Sequence, residues 1–439
     1  MAELIGAKKD DKIIDLMSTR PTAFTSLEFY PPRTSEGVQN LRSRILRMKE
    51  NTQPVFMDVT WGAGGSTSDT TMDLVKYIKE CGCVANMHLT CTNMDPGLVK
   101  KALSDCRRYG ICNIVALRGD AQEGEGEWKA SEGGFSCALD LVKFIRAEYG
   151  DEFGISIAGY PEGHPNAITV LKDGEEDNLS EKEKLRVSSS EKDGVVTKCV
   201  CRDEDYKKEM EYLKLKYDAG ADFIITQMFF DTDVFKNFCD DCKEYGIDCP
   251  IVPGIMCINN FGGFFRMTGF CKTRVPEDLK QEMIKRKDSE AEIKKVRIKE
   301  ERSDRCLFYP TNASHARFAT QFGAEFGTAM CMRLVSQGAP CVHFYTLNLE
   351  KVVYGILDGL GWTKELSSKL EALDSDANTM QAKGSAWARV GDEVTSMFGK
   401  GIVEELRPDG AAKIKISNWK LANDQDVFAF LKQGTFKKI

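Results

Sequence analysis

The sequence predicts a (β/α)8 barrel on three observations: eight short apolar runs, helix-like segments between them, and a polar residue at the end of nearly every run. The runs are FTSLEF (24–29), PVFMDVT (54–60), VANMHL (84–89), CNIVALR (112–118), GISIAG (154–159), DFIITQ (222–227), CPIVPGI (249–255) and PCVHFYT (340–346). Their β-branched and aromatic content reads as strand. Between them, Leu98, Val99, Ala102, Leu103 and Cys106 fall on one helical face, as do Tyr206, Met210, Leu213 and Tyr217. Near-continuous apolar strands alternating with helices imply a parallel sheet covered on both faces.

An open doubly wound sheet is the competing arrangement, and the strand ends separate the two. They carry Glu28, Thr60, His88, Arg118 with Asp120, Tyr160 with His164, Gln227, the Pro253/Gly254 pair, and Tyr345 with Asn348. A closed barrel gathers such residues at one mouth, whereas an open sheet spreads them along an edge. The barrel is the better account of so many polar ends.

Composition narrows the function. The chain has 439 residues and a formal net charge of -7, with a pI near 5.5. That balance gives no support to nucleic-acid or anionic-membrane binding, which want a basic surface. A small molecule is the expected partner. The sequence has no apolar stretch of the ~18 residues that a membrane span needs, and its N-terminus has no signal-peptide core, so a cytoplasmic location is expected. The 16 cysteines then read as free thiols. Cys239 and Cys242 make one CxxC inside a predicted helix (231–245). Structural zinc usually takes two such pairs, so no metal is expected.

Two glycine-rich loops follow strands. WGAGGST (61–67) does not make the GxGxxG fingerprint of a dinucleotide fold and reads as either a tight turn or a ligand contact. The loop at 119–134 either folds over a ligand or lies on the surface. Of the four histidines, His88 and His164 sit at strand ends and are read as site residues. His315 and His343 are read as structural, and no nucleophile stands where a hydrolase triad would need one.

At these residues the chain resembles a known family. LEFYPPR (27–33), MDVTWGAGGST (57–67), HLTC (88–91), ALRGD (116–120), YPEGHP (160–165), DAGADFIITQMFF (218–230), PIVPGI (250–255) and HFYTLN (343–348) together resemble the catalytic domain of eukaryotic methylenetetrahydrofolate reductases. The resemblance implies an FAD-dependent barrel that takes hydride from NADH or NADPH and reduces 5,10-methylenetetrahydrofolate to 5-methyltetrahydrofolate, supplying methyl groups for methionine synthesis. It implies Glu28 as general acid, its pKa raised by an apolar setting, and Asp120 as the carboxylate that stabilises the developing iminium and contacts the pterin. Gln227 and Tyr345 would bind substrate. Thr60, Trp61, His88, Arg118, Gly119, Asp120, Ala158, Tyr160, His164, Ala167 and Lys216 would hold FAD, with Arg118 and Lys216 near its pyrophosphate. Nicotinamide and folate would use one flavin face in turn, giving ping-pong kinetics, and a homo-oligomer is expected.

The chain departs from the family pattern at Leu349, where an arginine follows TLN, at Glu209 in place of an aspartate, at Cys137 in place of a tyrosine, and in GGFFRM (262–267). The domain organisation expected is a lead-in (1–20), the barrel (21–362), a linker (363–388) and a small β-rich, SH3-like module (389–439) suited to a protein partner. A charged insertion at 171–203 is expected to be mostly a mobile loop, and the run at 285–305 a solvated helix and loop. The tail is shorter than the family's S-adenosylmethionine-sensing domain, so inhibition by that route is not expected. Two other functions compete: a barrel aldolase or hydrolase, for which no strand end supplies a Schiff-base lysine or metal cluster, and a noncatalytic scaffold acting through the tail.

Overall fold

The computed structural model describes residues 9–362, apart from 21–22, 63–64, 92–93, 120–133, 173, 193–194 and 286–312, and 389–438, apart from 397–398, 407–410, 421–425 and 433–435. Internal contacts divide the chain into two units, Met1–Val353 and Tyr354–Ile439.

In the first unit all eight predicted runs are strands: β1 (Phe24–Phe29), β2 (Phe56–Val59), β3 (Val84–Thr90), β4 (Asn113–Leu117), β5 (Gly154–Gly159), β9 (Phe223–Thr226), β10 with β11 (Ile251–Val252 and Gly254–Met256) and β12 (Cys341–Tyr345), with β6–β8 inserted after β5. They pair in parallel in the order β10-β9-β5-β4-β3-β2-β1-β12-β11. The two ends of that order are one stretch of chain interrupted at Pro253, so the sheet closes and the fold is a (β/α)8 barrel. Proline has no N–H to donate to the ladder, which explains the break, while the Pro253 carbonyl still accepts from His343 N at 3.0 Å. At Gly254 an added Cβ would lie 2.3 Å from the Thr226 carbonyl and 2.5 Å from the Tyr345 ring. Only glycine allows that close approach.

Helices α1 (Ile13–Thr19), α2 (Ser35–Thr52), α3 (Ser68–Glu80), α4 (Pro96–Tyr109), α5 (Ala138–Tyr149), α6 (Glu181–Leu185), α7 (Asp203–Asp218), α8 (Thr232–Glu244) and α9 (Phe261–Phe270) follow in order. A tenth helix, α10, covers 277–285 among the described residues, and α11 (Ala313–Ser336) and α12 (Lys351–Leu360) flank the last strand. Local chemistry sets their limits. Asp95 caps α4 by accepting from Gly97 N, Pro96 occupies its first turn, and Gly110 ends it at φ 69. The periodicity holds with two adjustments: on α4 Leu98 is 45% exposed, and on α7 Lys216 is buried on the face predicted to end in Tyr217.

The barrel interior changes character from bottom to top. Phe24, Phe56, Val115, Phe223, Val252 and Cys341 form an apolar cluster that Ile13 and Met17 of α1 join. Two residues further along the same strands, where side chains return to the same face, stand Ser26 after Phe24, Asp58 after Phe56 and His343 after Cys341. The N-terminal mouth is thus filled with hydrocarbon, while the C-terminal half is polar. Asn113 fastens the plug, its Oδ1 accepting from Ile13 N at 2.9 Å and its Nδ2 donating to the Asp11 carbonyl at 3.0 Å.

The insertion is not the mobile loop expected from its composition. Strands β6 (Ile168–Val170), β7 (Ser188–Lys192) and β8 (Val195–Cys201) form an antiparallel sheet, and Ser180 and Glu183 make a reciprocal capping box on α6. Arg186, 2% exposed, holds the piece together. Its guanidinium lies 4.1 Å from the Tyr206 ring centroid, donates to the Cys201 carbonyl at 3.2 Å and pairs with Asp203. Charged composition misleads here because one buried arginine finds a carbonyl, a carboxylate and an aromatic ring to pair with.

The second unit contains β13 (Glu393–Ser396), β14 (Gly399–Leu406), β15 (Ala411–Lys420), β16 (Asp426–Lys432) and β17 (Phe436–Lys438). They form an antiparallel sheet in the order β16-β15-β14-β13-β17, so this part is β-rich as expected. The run at 285–305 lies outside the described residues except for its first position. No described helix is long and apolar enough to cross a membrane.

Asn113→Ala removes both hydrogen bonds that fasten the start of α1 and Asp11 ahead of it to the barrel floor. The expected loss is about 1–3 kcal/mol, read as a lower midpoint in urea denaturation, with earlier proteolysis of residues 9–20. An unchanged midpoint would show that α1 is held by apolar packing alone.

Candidate active site

Parallel register builds the site. Glu28 stands opposite Asp58 on one neighbour and Tyr345 on the other, Ser26 opposite His343, and Asp58 opposite Asn86. Because these pairs share a side of the sheet, their side chains meet at one level of the polar half. His88 Nε2 lies 3.4 Å from Glu28 Oε2 and 3.2 Å from Asp58 Oδ2. His343 Nε2 lies 3.4 Å from the same Glu28 oxygen, and its Nδ1 is 2.9 Å from Ser26 Oγ. Asn86 Nδ2 donates to Asp58 Oδ2 at 3.2 Å. The Glu28 side chain is 17% exposed and that of His88 10%, against 0% for Asp58 and His343.

Electrostatics follow from this packing. Burial opposes the charged form of His88, but the Glu28 charge and the Asp58 hydrogen bond and charge outweigh it and hold the imidazole above its ordinary value. Burial, reinforced by the Glu28 and Asp58 charges, pushes the Tyr345 phenol well above its usual range. Tyr345 therefore stays protonated and donates to the Thr226 carbonyl at 2.6 Å. Its hydroxyl proton is already committed, which leaves the ring and a lone pair to face a ligand. Glu28 does not have the simply apolar setting expected for it, since two imidazoles stand against its carboxylate.

A second group of predicted residues lines a cavity of about 270 Å³, at the small end of ligand pockets (~300–1,000 Å³). Arg118, Ala158, Tyr160, His164 and Lys216 form its wall together with Cys137, Ala138, Glu209 and Tyr212. Lys216 Nζ donates to the Ala158 carbonyl at 2.9 Å and lies 5.0 Å from the Tyr212 ring centroid. Burial pulls its ammonium down to about 8, against the opposing pull of Glu209. Burial also raises the Glu209 carboxyl, which Lys216 and Arg118 counteract. Tyr160 and His164 pack edge to face with centroids 4.8 Å apart.

The remaining expected residues are placed differently. Thr60 and Trp61 follow β2, outside the cavity wall, and Trp61 Nε1 is buried with no acceptor among the described residues. Gly119 turns the chain after Arg118 at φ +91, and an added Cβ would meet Thr90 at 2.8 Å. Ala167 donates its backbone N–H to the His164 carbonyl at 2.8 Å but does not line the cavity. Gln227 Oε1 accepts from Met228 N at 2.9 Å. Asp120 lies outside the described residues. Leu349, at the departure from the family pattern, is 41% exposed.

Reading only strand ends does not reach Ser26, Asp58, Asn86 or His343. A signal for them exists, since stepping back two residues from Glu28 and Tyr345 gives Ser26 and His343 on the inward face. Glu162 is also missed. It is buried inside the YPEGHP loop, accepts from Arg274 N at 2.7 Å, and burial pushes its carboxyl up to about 8. That contact helps fix the loop carrying Tyr160 and His164.

Comparison with known proteins identifies the barrel. A family model described as methylenetetrahydrofolate reductase matches residues 12–306 and 312–361. Methylenetetrahydrofolate reductase (NADH) 1 of Zea mays is 42% identical over 356 residues, which cover 81% of this chain and 51% of the relative. The Arabidopsis thaliana protein of the same name gives the same identity and coverage. The 5,10-methylenetetrahydrofolate reductase of Escherichia coli (strain K12) is 33% identical over 337 residues, 76% of this chain and 90% of its own length. The chain thus spans about half the length of the plant relatives it matches. Since one family's pattern runs through the barrel almost from the plug to the helix after the last strand, this chain belongs to the methylenetetrahydrofolate reductase family.

Proposed function

We propose that this chain reduces 5,10-methylenetetrahydrofolate to 5-methyltetrahydrofolate at the C-terminal mouth of its barrel, using NADH or NADPH and a noncovalently held FAD in a ping-pong cycle. The observation that carries the reading is the Glu28 carboxyl, accessible on one side and flanked by two imidazoles, in a chain whose relatives bear that activity in their names.

The residues present fit the cofactor. A buried ammonium (Lys216), a guanidinium (Arg118) and two rings (Tyr160, His164) around one cavity suit the phosphates and flat rings of a dinucleotide. The partnerless Trp61 N–H suits a further acceptor. Bound there, FAD would supply the hydride transfer from nicotinamide to folate.

The protein's own residues handle the proton. Opening the imidazolidine ring of the substrate requires a proton on the leaving nitrogen, and Glu28 Oε2 is the acid placed to give it. His88, which the Glu28 and Asp58 charges hold above its ordinary value against the opposing effect of burial, stands 3.4 Å away to restore it, and His343, oriented through Ser26, flanks the same oxygen at 3.4 Å. Gln227 would orient the pterin through its amide N–H groups, since Oε1 already serves Met228. The Tyr345 ring would wall the substrate, and Asp120 would stabilise the iminium. The pairing of β13 with both β14 and β17 supports an SH3-like reading of the C-terminal module (389–439), for which we propose a protein partner.

Glu28→Gln keeps shape but removes the acid. Reoxidation of the reduced enzyme by methylenetetrahydrofolate is expected to slow about 10²–10⁴-fold, while reduction by nicotinamide stays within roughly threefold, both read by anaerobic stopped flow. Equal slowing of both half-reactions would remove Glu28 from the acid role.

Lys216 gives a separate test. An anionic pyrophosphate beside an ammonium whose pKa is about 8 when the site is empty raises that pKa, so binding takes up protons around pH 8. Calorimetric titration of apoprotein with FAD in two buffers of different ionisation enthalpy is expected to show this uptake, and Lys216→Met to lose it. Binding without proton uptake in the unaltered chain would place the pyrophosphate elsewhere.

A further inference from the structure

Glu28, Asp58 and His343 each offer one donor atom, and these atoms all lie within 4.8 Å of one another. His88 Nε2 stands outside that mutually close set but within reach of two of its members, 3.4 Å from Glu28 Oε2 and 3.2 Å from Asp58 Oδ2. As hydrogen bonds these contacts are poor. The two at 3.4 Å exceed the 2.7–3.2 Å range of an N–H to oxygen bond, and one imidazole N–H cannot point at both carboxylates. As edges of a coordination polyhedron they are well sized. Zinc to nitrogen or oxygen distances of about 2.0–2.1 Å place tetrahedral donors about 3.3–3.4 Å apart.

Two further features point to an ion. Asp58 is fully buried, yet among the described residues its Oδ1 has no partner, and neither has Asn86 Oδ1 beside it. The outer shell is also that of a metal site. His343 can donate from Nδ1 to Ser26 Oγ, 2.9 Å away, which leaves Nε2 unprotonated toward the cluster, and Asn86 Nδ2 orients Asp58 at 3.2 Å. The donor set is nitrogen and oxygen only, with no thiolate, which suits zinc or a similar divalent transition ion.

We propose that Glu28, Asp58, His88 and His343 form a binding site for a divalent transition-metal ion of the zinc type, and that the ion inhibits by taking the Glu28 carboxylate as a ligand. Metal and proton compete for the same oxygens and imidazole nitrogens, so the ion binds more tightly as pH rises. The inhibitory part rests on Glu28 as the proton donor; the binding part does not.

The test adds one equivalent of zinc chloride to the purified full chain with its bound cofactor, and reads zinc-edge X-ray absorption together with titration calorimetry. The expected first shell is nitrogen and oxygen at about 2.0–2.1 Å, with no sulfur at about 2.3 Å. Asp58→Asn and His343→Gln are each expected to weaken zinc binding at least tenfold. Sulfur in the first shell, or unchanged affinity in both folded variants, would overturn the site by assigning the ion to cysteines. If either variant fails to fold, the spectrum of the unaltered chain decides alone. For inhibition, stopped flow with zinc is expected to slow reoxidation by methylenetetrahydrofolate at least tenfold and to spare reduction by nicotinamide. A bound ion in the nitrogen and oxygen shell that leaves reoxidation unchanged would refute the inhibition. Failure of the acid role itself appears separately, in the Glu28→Gln kinetics without metal.

Discussion

Burying two carboxylates at one level of a barrel is costly, and the arrangement of this mouth follows from how that cost is offset. Glu28 and Asp58 are register partners on adjacent strands, so backbone hydrogen bonding alone holds like charges close together. His88 sits between them and His343 approaches Glu28 from the other side. Removing either imidazole would leave a desolvated carboxylate facing another, the kind of loss that costs several kcal/mol. The same pairing sets the Glu28 carboxyl against two imidazoles, the arrangement on which the proposed proton transfer rests.

That cluster depends on the floor beneath it. Ile13 and Met17 close the N-terminal mouth over Phe24, Phe56 and Cys341, and Phe56 stacks under His343 with ring centroids 6.0 Å apart. The floor and the polar layer lie two residues apart on the same strands, so packing that stabilises the one positions the other. At the cavity wall Lys216 and Glu209 repeat the pattern, each shifting the other by charge and both shifted by burial.

Strand positions were legible because barrel strands are buried on both faces and write themselves as short apolar runs. Their ends were legible too, and Arg118, Ala158, Tyr160, His164 and Lys216 do meet at one cavity. The inward face was harder to read. Ser26, Asp58, Asn86 and His343 lie inside apolar runs, where a polar residue looks structural until register shows what stands opposite. His343, read from the sequence as structural, stands 3.4 Å from Glu28 Oε2. The insertion misread has another cause: composition counts how much apolar surface a segment owns, whereas Arg186 is held by Cys201, Asp203 and Tyr206, partners that no local count reveals. The role of Asp120 rests on the motif, because that residue lies outside the described structure.

The most direct test of the account is an absorbance spectrum of the purified chain from 300 to 550 nm, followed by anaerobic addition of NADH or NADPH and then of methylenetetrahydrofolate. The account predicts flavin bands that bleach with nicotinamide and return with the folate, which would establish both half-reactions at one site. A colourless protein that cannot be reconstituted with FAD would contradict it and leave the barrel as a scaffold.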